Sequence, residues 1–242
     1  RHGAALMDAQ IDHLIVVAAS LAQGVVWCEQ TLGITPETGG EHPLMGTHNR
    51  LFSIAGPAYP RAYFEIIALQ PGVTPTRATG LQRWFDMDDP MLQSRVSSAG
   101  PQLVHFVASV GGVVSAVKAL AGLGLDRGRV VAASRQTDSG LLSWRITVRD
   151  DGQRLFYGGL PTLIQWGDAA ADPALAAHPL DALPPSGVTL QALHMQHPRP
   201  ESLQKAHAAI GLAGVAVTPG APNLIATLQT PRGLVTLESK GI

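Results

Sequence analysis

Cysteine occurs once in the 242 residues, at Cys28, so the chain cannot close an internal disulfide. A lone thiol fits a reducing compartment, and a cytoplasmic location is expected. Charge is sparse as well: Asp, Glu, Lys and Arg make up 14% of the residues and leave a formal net charge of −1. That balance excludes a basic nucleic-acid groove and a cationic face for anionic membranes. Long hydrophobic runs are also missing. "LIVVAASLA", residues 14–22, is too short to span a bilayer, and Asp8 and Asp12 precede it where a signal peptide carries Lys or Arg. It reads as a buried strand running into a helix. The residues ahead of Met7 are set aside from the fold. What is plentiful is apolar side chain, 45% of the chain, enough for a substantial core in one large domain or two small ones.

The sequence repeats itself. "IDHLIVVAA" (11–19) and "LVHFVASV" (103–110) are strand-like runs, each with a histidine third, and each is followed by a helical pattern. In "SLAQGVVWCEQTLG" Ser20 is the expected N-cap, Leu21, Val25, Cys28 and Leu32 share a face, and Gly33 is the stop. "GGVVSAVKALAGLG" follows the second run in the same way. Three short strands are expected after each helix. "NRLFSIA" and "AYFEIIAL" are the clear ones in the first unit, with a weak one near "GITPE"; "RVVAAS", "LLSWRITV" and "PTLIQWG" belong to the second. A third unit runs through "VTLQALHM", "PESLQKAHAAIGL", "VAVT", "NLIATLQT" and "GLVTLES".

The fold class read from this pattern is α+β, built of βαβββ modules at roughly 10–70, 102–168 and 187–240. Paired modules at 8–168 make a curved sheet of about eight strands, cupped around one small ligand. Residues 71–101 and the Ala/Pro-rich 169–186 read as loop and linker, and 187–242 as the third module. An odd module must pack on the outside of the barrel or meet its twin in a homodimer.

Placing the units in register singles out four residues. His13 and His105 stand at matching places on the first strands, Glu65 and Gln165 on the last, separated by 52 and 60 residues respectively. Two imidazoles, a carboxylate and an amide oxygen suit a divalent ion of the Zn, Ni, Co, Mn or Fe class, beside which Glu65 would shuttle a proton. The plain alternative is that the histidines are hydrogen-bonded core residues and that Glu65 pairs with Arg50 or Arg61. In the third unit His194 and Glu238 repeat the positions, and His197 faces away from His194 on a strand. His207 is expected on a helix surface. Gly39 and Gly40 permit backbone conformations closed to other residues, and His42, Thr47 and Asn49 add hydrogen-bonding groups to a loop that either pins itself or closes over the cup. Arg135 is read as an anion-binding residue at the rim or as half of an ion pair with Asp138; Trp144 and Trp166 wall the cup or fill the core.

At these residues the chain resembles the glyoxalase-like domain proteins of the vicinal-oxygen-chelate superfamily. The resemblance rests on "DHLIVVAASL", "GGEHPLMGTHNRLFSI", "YFEIIAL", "SRQTDSGLLSWRI" and "LPTLIQWGD". It implies paired βαβββ modules, metal ligands at His13, Glu65, His105 and Gln165, and no organic cofactor; Gln165 stands where the family shows an acidic residue. The implied function is a metal-dependent lyase or isomerase acting on a small oxygenated molecule, with Glu65 as base and His42, Asn49 and Arg135 touching substrate. A metal-free small-molecule binding protein and an extradiol-type dioxygenase are the alternatives.

Overall fold

The computed structural model describes residues 8–168, 172 and 175–242. Part of the 169–186 linker and the residues ahead of Met7 therefore lie outside the described residues. The first unit comprises β1 (Gln10–Val17), α1 (Leu21–Leu32), β2 (Glu37–His42), β3 (Thr47–Ser53) and β4 (Tyr63–Leu69). After α2 (Pro90–Ala99) the second comprises β5 (Gln102–Ser109), α3 (Val113–Ala121), β6 (Arg129–Thr137), β7 (Gly140–Val148) and β8 (Thr162–Trp166). The third holds β9 (Thr189–His197), α4 (Pro200–Ala209), β10 (Val215–Pro219), β11 (Asn223–Thr230) and β12 (Gly233–Glu238).

Local chemistry sets the element ends. Ser20 accepts from Gln23 N at the start of α1, and Gly33, at φ 75°, closes it in the left-handed conformation. The expectation of an unstructured 71–101 is corrected by α2. Asp89 caps it by accepting from Met91 N, Pro90 occupies the first turn where no N–H is needed, and Leu92 and Val96 are buried. The second strand also differs from the expectation near "GITPE": β2 runs through the two glycines.

The first two units form one sheet of eight strands in the order β2-β3-β4-β1-β5-β8-β7-β6, joined by the antiparallel pair β1–β5. The third unit has the same order of elements but another topology. Its sheet runs β10-β9-β11-β12, so the first strand sits between the second and third instead of beside the last. It packs on the outer face of the eight-stranded sheet, where Leu193, Met195, Leu224 and Ala226 join Leu14, Phe64 and Phe106 in one buried cluster. A second cluster lies inside the curl: Ile15, Tyr63, Ile67, Val107, Trp144, Ile164 and Trp166. The apolar run of β4 thus serves both layers, with Phe64 and Ile66 outward and Tyr63 and Ile67 inward. Among the described residues no helix is long and apolar enough to cross a membrane.

Candidate functional site

The inward positions of β4 include Glu65, which is 6% exposed. A carboxylate so placed needs partners. It has two. Asn49 on the neighbouring β3 donates from Nδ2 to Oε2 at 2.5 Å, and Nε2 of His13, on β1, lies 3.6 Å from Oε1. Asn49 is itself fixed, since its Oδ1 accepts from Gly40 N at 2.8 Å. Arg50, by contrast, reaches Thr38.

His13 is held from behind. Its Nδ1 donates to Asp12 Oδ1 at 2.6 Å, and its ring stacks on Tyr63 with centroids 4.4 Å apart. Asp12 is fully buried, and its second oxygen accepts from Trp166 Nε1 and His178 Nε2, both at 2.9 Å. Burial alone would raise the Asp12 carboxyl, but the hydrogen bonds from His13 and His178 outweigh it and hold the group well below the usual carboxylate range. With its Nδ1 proton committed to Asp12, a neutral His13 presents a bare Nε2 lone pair to Glu65. Two electron-rich atoms facing each other at 3.6 Å repel unless a proton or cation lies between them.

Around this pair the walls are unequal. His42, Asn49, Tyr63 and Glu65 come from the first unit; Leu142, Trp144, Ile146, Ile164 and Trp166 come from the second. His42 donates from Nδ1 to Thr47 Oγ1 at 3.0 Å, and burial pushes its pKa down to about 4, so it is a neutral ring near pH 7. Trp84 and Phe85, from the segment after β4, close one side. The floor cavity is about 40 Å³, room for one functional group. A mouth of about 470 Å³ adjoins it, with Arg135, Leu142 and Pro179 lining both. The Arg135 side chain makes no hydrogen bond or ion pair among the described residues, so the bridge to Asp138 does not form.

Gly39 and Gly40 correct the conformational reading given to them. Neither has positive φ; both lie in β2. A Cβ on Gly39 would run into the side chain and carbonyl of Asn49, and one on Gly40 into the guanidinium of Arg135. The glycines are there for close approach.

Residues 11–211 match the glyoxalase-like domain family. The chain belongs to that family. The crystal structure of a hypothetical protein from Staphylococcus aureus aligns with this glyoxalase-like domain at TM-score 0.56 and 11% identity, over 95% of this chain and 85% of that one. Methylmalonyl-CoA epimerase from Mycobacterium tuberculosis aligns at TM-score 0.38 and 12% identity, covering 70% of this chain and 93% of its own. A methylmalonyl-CoA epimerase in complex with methylmalonyl-CoA and NH4+ aligns at 0.38 and 15%, covering 68% and 97%. The likeness to the Staphylococcus aureus protein is one of fold. No curated protein matches the sequence.

Of the four expected metal ligands, this glyoxalase-like domain brings two together, His13 and Glu65. His105 is fully buried with both nitrogens engaged: Nδ1 donates to Gly158 O at 2.8 Å, and Nε2 accepts from Thr162 N at 3.1 Å beside the Thr162 hydroxyl at 2.9 Å. Gln165 faces away from the cup, because Ile164 and Trp166 on either side of it face in; its Oε1 accepts from Val113 N at the start of α3. The pairing register gives the reason. β1 and β5 are related about the pair Leu14–Phe106, which makes His13 and His105 equivalent, and likewise Ile15 and Val107. Ile15 pairs with Glu65, whereas Val107 pairs with Thr162. Thr162, three residues before Gln165, therefore occupies the place of Glu65.

The sequence reading missed Asp12, Tyr63 and His178. Asp12 sits directly before the repeated histidine, a signal that was available. His178 comes from the segment read as linker, where it caps a single turn at Pro179–Asp181 and is 3% exposed. His207 is corrected too: it is buried and bonds Gly159 O from Nε2 at 2.8 Å.

Proposed function

We propose that this glyoxalase-like domain moves a proton on a small anionic, oxygenated substrate, as isomerases and lyases acting beside a carbonyl do. The observation that supports it is the His13 Nε2–Glu65 Oε1 approach of 3.6 Å on the cavity floor, with Asp12 behind and an unpaired Arg135 above. In this reading Arg135 binds a substrate carboxylate at the mouth. Glu65, steadied by Asn49, takes the proton from the carbon next to the carbonyl. The C–H electron pair passes into the carbonyl oxygen, which accepts a hydrogen bond from protonated His13, and Asp12 balances the imidazolium charge. Where the reacting carbon carries a hydroxyl, His13 passes a proton to the carbonyl oxygen and takes the one on that hydroxyl, and Glu65 returns its proton to the former carbonyl carbon, which completes an isomerisation; return to the original carbon only exchanges its hydrogen, and loss of a leaving group instead gives a lyase.

The four-ligand metal set expected from the repeat does not fit this site. A Zn-class centre takes three or four protein donors. Here His13 and Glu65 converge, His42 is turned to Thr47 and Asn49, and among the described residues no cluster of three His, Cys, Asp or Glu side chains could hold an ion. An extradiol-type iron site would need a second histidine ligand beside His13 and Glu65; the nitrogens of His105 are spent elsewhere, and those of His42 lie against Thr47 and Asn49.

The test is solvent deuterium wash-in, followed by proton NMR, over a panel of small 2-oxo and 2-hydroxy carboxylates. Wash-in that is lost in Glu65→Gln and His13→Gln supports the reading. Wash-in indifferent to both variants, or tight binding with no wash-in across the panel, rejects it; the second outcome would leave a metal-free binding protein.

A further inference from the structure

A cleft of about 960 Å³ opens between the second and third units and shares no residue with the floor or mouth of the cup. One wall is a backbone segment of unusual shape. Leu155, Phe156 and Tyr157 have φ of 68°, 49° and 53°, followed by Gly158 at 89°. L side chains rarely adopt such a run, and here it is pinned. Arg127, 1% exposed, donates to the carbonyls of Gln153, Arg154 and Leu160, while His105 holds Gly158 O. The outcome is an aromatic shelf: Tyr157 is 54% exposed, and Phe156 and Tyr157 lie with ring centroids 5.2 and 6.1 Å from His197.

The opposite wall is the start of α4. Arg199, Ser202 and Lys205 recur every third residue on one helical face and line the cleft. Neither cation has a carboxylate partner or a side-chain hydrogen bond among the described residues, whereas Arg154 is paired with Asp86, and Asp89 is occupied in capping α2. Helix α4 has no side-chain N-cap, and Pro200 fills its first position. His197 supplies an independent sign of a ligand. It is 3% exposed and lines the cleft; Nδ1 accepts from Arg199 N at 2.9 Å, so the proton sits on Nε2, and Nε2–H has no partner among the described residues.

A donor on a buried ring, two unpaired cations and an uncapped helix start call for a compact dianion. An exposed aromatic shelf beside them calls for a flat ring. We propose that this cleft binds a phosphorylated aromatic compound of the nucleoside-monophosphate class, with phosphate between Arg199, Lys205 and His197 Nε2 and the ring on Tyr157. This assignment does not depend on any activity in the cup.

Calorimetric titration of the full chain with AMP, adenosine and inorganic phosphate tests it. The expected result is saturable AMP binding, displaced by phosphate and weakened at least tenfold in Arg199→Gln/Lys205→Gln, two exposed positions whose exchange leaves the fold intact by circular dichroism. Tyr157→Ala should weaken AMP and adenosine alike and leave phosphate unchanged. Absent AMP binding at millimolar concentration, binding that phosphate does not displace, or binding unaltered in the double variant would overturn the assignment. So would binding lost in Glu65→Gln, which would place the nucleotide in the cup.

Discussion

The indole of Trp166 donates to Asp12 Oδ2 at 2.9 Å, tying the last strand of the second unit to the first strand of the chain. The same oxygen receives His178, and the other receives His13, so one buried carboxylate organises three aromatic donors. Asp12→Asn should cost about 3 kcal/mol at pH 7, since hydrogen bonds to a buried charge are lost. Because the folded-state pKa lies below the ordinary 3.8, the contribution of Asp12 is complete above that value and declines as pH falls through it. Urea unfolding at pH 5 and pH 3 should show the gap between wild type and variant shrinking by about 1 kcal/mol. A gap that stays constant would contradict the assignment.

His42 gives a slope in another window. Its pKa is about 4 in the folded chain against 6.5 unfolded, so between those values the unfolded state binds more protons and stability falls as pH falls. The loss over that range is about 3 kcal/mol at most, from 1.36 kcal/mol per pKa unit. His42→Gln should flatten the dependence of unfolding free energy on pH between 6.5 and 4; an unchanged slope would mean that other buried histidines carry it.

The adjacent glycines of β2 should respond differently to a methyl group. Gly39→Ala meets the Asn49 backbone as well as its side chain, forces β2 and β3 apart, and should cost about 1–3 kcal/mol in chemical denaturation. Gly40→Ala meets the guanidinium end of Arg135, which can swing aside. It should cost under about 1 kcal/mol, yet weaken binding of an anionic ligand at the mouth by several-fold. Equal stability losses in the two variants would refute this.

His105 and Gln165 act as struts. His105→Ala leaves Gly158 O and Thr162 N without their partners and should destabilise by about 3 kcal/mol or more. Gln165→Ala removes one hydrogen bond at the start of α3, worth about 1 kcal/mol, and should leave deuterium wash-in at the wild-type rate. Slower wash-in in a fully folded Gln165→Ala protein would return that residue to the site.

Much of the architecture was legible because it rests on local chemistry. The histidine-third strands, the Ser20 cap, the Gly33 stop and the two-sided β4 all follow from patterns within a few residues. What escaped depends on pairing between distant segments. β8 is only five residues long, so its sequence alone could not say whether Thr162 or Gln165 stands at the position equivalent to Glu65. Only its ladder with β5 decides that. His178 lies in an Ala- and Pro-rich stretch with no periodicity, and its meaning comes from Asp12, 166 residues away. Helix α2 was hidden by the proline that starts it.

Thr162 beside His105, where the first unit has Glu65 beside His13, makes the two halves of the barrel unlike in their chemistry. The first half supplies His13, His42 and Glu65, and the second offers indole and aliphatic surface with Arg135 at the rim. A planar enolate lying across the floor would meet acid and base from a single side, with Trp144 and Trp166 shielding the other. Proton removal and return would then occur on the same face of the intermediate, and the exchanged product should keep its original configuration, with racemisation slower than deuterium incorporation.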